Sequence, residues 1–95
     1  MITLKIIMTR PTHEVEFFPE TSEYKSTLEE FKSSGKIISE KIILSDDLST
    51  QIREITFLDD EDHIFWRHHP NIVAWINQRK KHDAENHIMT DIEFV

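Results

Sequence analysis

Pro70 divides a helical pattern in two. It ends the run Trp66-Arg67-His68-His69-Pro70, inside a stretch that otherwise reads as helix from Asp59 to Arg79. Proline has no backbone donor and its ring clashes with the preceding turn, so a helix must kink or restart there. Before the break, Asp59-Asp60-Glu61-Asp62 places acids where a helix N-terminus favours them. After it, Ile72, Trp75, Ile76 and Arg79 fall on one helical face. Both tryptophans of the chain lie in this stretch. A fold for this chain must therefore seat two helical pieces, aromatic on their buried sides, in its second half.

The remaining patterns set the order of elements. Ile2–Met8 alternates and is rich in β-branched residues, which predicts a strand. The residues from Pro11 to Pro19 read as extended or loop, with a strand-like piece at Glu14–Phe18. Ser22–Ser34 reads as a helix: Thr21 and Ser22 offer caps, Tyr24, Leu28 and Phe31 form an apolar stripe, and the one glycine, Gly35, stands just past its end. Lys36–Leu44 and Thr50–Leu58 read as strands joined by the polar turn Ser45-Asp46-Asp47-Leu48-Ser49, hence a hairpin. Lys80–His87 is polar and expected to fray. Ile88–Val95 reads as a last strand. The order β-α-β-β-α-β predicts one α+β domain over residues 1–95. It would be a ferredoxin-like sandwich, a four-stranded antiparallel sheet with its helices on one face.

The strands carry apolar residues on both parities. Ile7 opposes Ile2, Leu4 and Ile6. Ile37 and Ile43 oppose Ile38, Ile42 and Leu44. Ile52 and Leu58 oppose Ile55 and Phe57. A sheet with one wet face alternates cleanly, so a second cover is expected, and another copy of the same sheet is the simplest. Size points the same way. A 95-residue domain with 38% apolar residues has a small core, and oligomerisation is a common remedy.

Charge narrows the partners. Eleven basic against 18 acidic residues give −7, which argues against nucleic acid and against anionic membrane surfaces. The one basic cluster, Arg79-Lys80-Lys81-His82, is expected to be a helix C-terminal turn. Without cysteine there is no disulfide, thiolate nucleophile or Cys-ligated zinc. The N-terminus lacks a signal-peptide plan and no apolar run is long enough to span a bilayer, so a cytoplasmic location is expected.

From Phe57 to Val95 the chain resembles the dimeric α+β barrel superfamily, and within it the antibiotic-biosynthesis-monooxygenase-like small domains. The resemblance rests on acidic Asp59–Asp62 after the third strand, then Trp66, Arg67, His69 and Pro70, then Gln78-Arg79 in a polar helix leading to the last strand. The first half is similar in order and length. The resemblance implies a homodimer with facing sheets and a cavity between sheet and helices for an apolar or aromatic ligand. It also implies, in some relatives, oxidation without metal or flavin. The haem-degrading branch carries an Asn on strand one, a Trp ending strand three and a helical His. Here strand one has no Asn, strand three ends Phe57-Leu58, and Ile76 lies near the His position.

Two readings of the aromatics stand side by side. Phe57, Phe65, Trp66 and Trp75, with His69 as a polar group, form an apolar ligand pocket with few polar atoms, or they are core and dimer packing. The corresponding functions are a ligand-binding protein, possessing or lacking cofactor-independent oxidase chemistry, and a non-enzymatic interaction protein. No cofactor and no metal are expected. His63 and His68 lie about 140° apart on a helix and cannot clasp one ion, and Asp59–Asp62 lacks the glycine of a calcium loop.

Overall fold

The computed structural model describes all residues from Met1 to Val95. The first strand, β1 (Ile2–Thr9), is flanked on both sides by antiparallel partners, β3 (Thr50–Phe57) and β4 (Met89–Phe94). The edge strand β2 (Ile37–Leu44) pairs antiparallel with β3, giving the order β2-β3-β1-β4. This is the ferredoxin-like arrangement. The helices are α1 (Ser22–Ser33), α2 (Asp60–His68) and α3 (Pro70–Asn86).

Local chemistry accounts for the boundaries. Thr21 Oγ1 accepts from the Tyr24 amide at the start of α1. At its end Gly35 has φ 77°, its amide donates to the Lys32 carbonyl, and the Lys36 amide donates to Phe31. That is the paired hydrogen-bond pattern of a left-handed helix stop. Asp59 Oδ1 accepts from the Asp62 amide and opens α2. Pro70 stands at the start of α3, so the break expected from the proline is a full restart. In the β2–β3 turn, Asp47 Oδ1 accepts from the Ser45 and Ser49 hydroxyls, both at 2.7 Å, and these bonds lower its pKa to about 2.

Leu4, Ile6 and Met8 of β1 and Ile55 and Phe57 of β3 point toward the helices. There they join Tyr24, Leu28, Phe31, Trp66, Ile72 and Trp75 in the core. On the opposite face, register aligns Ile7, Ile52 and Ile43 in one row across three strands. The neighbouring row is Lys5, Glu54 and Lys41, where Glu54 bridges both lysines at 3.3 and 3.2 Å. Ile43 is 40% exposed, so the chain alone leaves this row partly uncovered. The parity expected for β2 is broken by a bulge between Ile37 and Ser39, which takes Ile38 out of step with Ile42 and Leu44.

Three local expectations are corrected. Glu14–Phe18 forms no strand; side chains hold it instead. Arg10 donates to the Leu48 and Val15 carbonyls and lies over the Phe17 ring, and His82 Nε2 meets the Glu16 carbonyl at 2.6 Å. Lys80–His87 does not fray, because α3 runs unbroken to Asn86. The i, i+4 pair Arg79–Asp83 (3.2 Å) is buried, and burial with mutual pairing rewards a continued helix. Consequently Arg79-Lys80-Lys81-His82 lies in the middle of α3, whose last turn holds no basic residue.

Candidate functional site

The aromatic residues of the second half close ranks rather than surround a space. Tyr24 stacks at 4.6 Å from Trp75 and edge-on at 5.5 Å from Trp66. Trp66 also meets Phe31 at 5.3 Å and Phe57 at 6.2 Å. Trp75 Nε1 donates to the Pro19 carbonyl, so the indole is satisfied on both its polar and apolar sides. Two guanidinium groups sit against Trp75, Arg53 at 5.2 Å and Arg79 at 5.7 Å. Each is neutralised by its own carboxylate, Arg53 by Glu20 and Arg79 by Asp83. Burial pushes the Tyr24 phenol up to about 12, an effect opposed by Arg53.

The five residues expected to wall a ligand pocket therefore go to three places. Phe57, Trp66 and Trp75 are core. Phe65 lies on the outer side of α2, 52% exposed, near the Lys36 ammonium. His69 caps α3, its Nδ1 accepting from the Asn71 amide, with its ring edge-on to Phe31. Of the other histidines singled out in sequence, His13 and His68 are exposed.

A cleft of about 400 Å3 opens beside this packed block, toward β4. Its floor is sheet: Leu4 pairs with Phe94 and Ile6 with Ile92 across the β1–β4 ladder. α2 contributes His63 and Arg67, four residues apart and so on one face. α3 contributes Ile76, Arg79 and Lys80. A second hollow of about 360 Å3 shares Arg79, Lys80 and Ile92 and reaches on to Asp83 and Thr90. Thr90 Oγ1 donates to Asp83 Oδ2, tying β4 to α3 behind the cleft.

His63 is the one histidine of this cleft. Its ring lies edge-on to Phe94 at 5.0 Å and tilted to Phe57 at 5.4 Å, so the core aromatic Phe57 backs it. Burial lowers its pKa, and the Arg67 guanidinium lowers it further; Asp60, 3.7 Å from Nδ1, opposes both. The imidazole is therefore neutral near pH 7, and its Nδ1 is buried without a hydrogen-bond partner. The aromatic spacing in the sequence points to the packed block and not to the cleft. The available signals were Ile92 and Phe94, which share the parity of the core-facing strand residues, and the i, i+4 spacing of His63 and Arg67. No three His, Asp or Glu side chains converge as a metal site would require.

No protein-family model and no curated protein matches the chain. Among solved structures it is similar to Rv0793 from Mycobacterium tuberculosis, with a TM-score of 0.64 at 10% identity, covering 100% of this chain and 93% of that one. It is also similar to a candidate antibiotic biosynthesis monooxygenase from Deinococcus radiodurans, with a TM-score of 0.61 at 6% identity, covering 100% and 90%. At such identities the likeness speaks for fold alone. Together with the strand order, it establishes that this chain has the ferredoxin-like α+β fold seen in antibiotic-biosynthesis-monooxygenase-like proteins.

Proposed function

We propose that the protein is a homodimer that holds a small apolar or aromatic molecule between its sheet and helices, in the cleft beside β4. The observation that carries this reading is the cleft itself. It has the volume of a small-molecule site, about 400 Å3, and apolar walls from Leu4, Ile6, Ile76, Ile92 and Phe94 around a few polar groups. Cofactor-independent oxidation of that molecule is the reaction the resemblance suggests. His63, neutral and set in the cleft wall, is the group best placed to accept a proton from it. Native mass spectrometry of purified protein tests the binding: a retained hydrophobic molecule supports it, and an empty chain that also takes up no added aromatic compound contradicts it.

The dimer is supported by the Ile7–Ile52–Ile43 row and by β2, an edge strand whose Ile38, Ile42, Ile43 and Leu44 are 40–49% exposed. An edge so apolar is a hazard unless covered. Light scattering should give twice the 11.4 kDa chain mass. Ile52→Glu, which puts a charge in the centre of the row, should return the monomer mass. A wild-type monomer at micromolar concentration would end the dimer reading.

The rival reading, a non-enzymatic dimerisation or interaction protein, draws on a specific observation. Phe57, Trp66 and Trp75 are consumed by packing. An intact dimer that binds no small molecule would favour it.

A further inference from the structure

We infer that the molecule the cleft accepts is an amphipathic carboxylate: an apolar ring system or chain bearing one acid group, its body on the sheet floor and its charge at the mouth between Arg67 and Lys80. The inference rests on the proposal that the cleft is the ligand site, and it goes on to name the chemical class.

The chain is acidic overall, yet the cleft is lined by three of its 11 basic residues and none of its 18 acidic ones. The three are not equivalent. Arg79 is buried and bound to Asp83, so that pair contributes no net charge, although Arg79 Nε and Asp83 Oδ1 are both left without a hydrogen-bond partner. Arg67 and Lys80 are exposed at the rim, and neither belongs to an ion pair. One stands on α2 and the other on α3, so they flank the opening from two elements. Two unpaired cations beside an apolar wall, on a protein of charge −7, focus a local positive field that an anion would feel on approach.

The rest of the lining sets the shape of the ligand. Leu4, Ile6, Ile92 and Phe94 offer no hydrogen bond, so whatever lies on them is apolar. His63 is held neutral and adds no charge. A single carboxylate matches the planar fork of Arg67 with Lys80 as a second point charge. No glycine lines the cleft, so it has no glycine-rich loop of the kind that cradles a polyphosphate.

Calorimetric titration of the full-length protein with three probes of one shape tests the class: 1-naphthoate, 1-naphthalenemethanol and 1-naphthylmethylammonium. Naphthoate should bind about tenfold more tightly than the alcohol, a difference of about 1.4 kcal/mol, and the cation should bind most weakly. The double variant Arg67→Gln, Lys80→Gln alters only exposed side chains and should keep its thermal transition. In it the carboxylate preference should vanish while affinity for the alcohol holds. Equal binding of carboxylate and alcohol by the natural protein would overturn the charge assignment and leave the cleft as a ligand site. So would a carboxylate preference undiminished in the double variant. Failure of all three probes would overturn the cleft reading and this inference with it.

Discussion

The layer between sheet and helices is solid in one part and open in another. Beneath α1 and the start of α3, Tyr24, Phe31, Phe57, Trp66 and Trp75 interlock, and Trp75 Nε1 donates to the Pro19 carbonyl. Beside β4, smaller aliphatic residues and the long stems of Arg67 and Lys80 leave a cleft. The same sheet face serves both, through Phe57 and Ile55 in one direction and Ile92 and Phe94 in the other. Large rings fill space so well that they close it, whereas a ligand needs apolar surface that its own protein fails to cover. Aromatic richness in a sequence is thus a better guide to where a small domain is stable than to where it binds.

Stability should separate the two parts most sharply. Trp75→Ala should cost about 3–5 kcal/mol, the usual range for removing a large buried ring, whereas Ile92→Ala, on a 54%-exposed floor residue, should cost about 1 kcal/mol or less. Urea unfolding of both variants gives the numbers, and equal costs would mean that the cleft floor is core after all. Titration offers a second contrast. Tyr24 is the chain's one tyrosine, so phenolate absorbance reports it alone, and it should ionise near pH 12 rather than 10. Between those values the folded state keeps a proton that the unfolded state releases, so stability should fall as pH rises above 10. A transition at pH 10 in folded protein would show that the block is looser than its geometry.

A smaller effect is expected at the cleft. His63 has a folded pKa below its ordinary 6.5, so the unfolded chain binds its proton first as pH falls. The contribution is intact above pH 6.5 and is lost as pH drops through the lower folded value. Melting temperature should therefore decline over that acid interval, and His63→Phe should flatten the decline relative to the natural protein. An unchanged slope in the variant would place the acid sensitivity elsewhere.

Much of the fold was legible because local rules agreed. Gly35 ends α1, Asp59 begins α2 and Pro70 restarts α3, each where its backbone chemistry required. The sheet topology followed from the β-α-β-β-α-β order of the elements and their one hairpin. Two things escaped. The length of α3 depends on the buried Arg79–Asp83 pair, and a charged pair reads in sequence as solvent-facing. The bulge at Ile37–Ser39 shifts parity without any glycine or proline to announce it. The candidate site was harder still. His63, Arg67, Ile92 and Phe94 are separated by up to 31 positions and come together only where β4, paired with β1, meets α2. Phe65, by contrast, sits beside Trp66 in sequence and faces outward in space, and His69 is taken up by the cap of α3.

Ligand should enter the cleft and leave the aromatic block untouched. Amide chemical-shift mapping of isotope-labelled protein titrated with 1-naphthoate addresses it directly. Saturable shifts centred on Ile6, His63, Arg67, Ile92 and Phe94, with Tyr24 and Phe31 little moved, are expected. Shifts centred on Phe65 and His69, or no saturable shift at all, would contradict it.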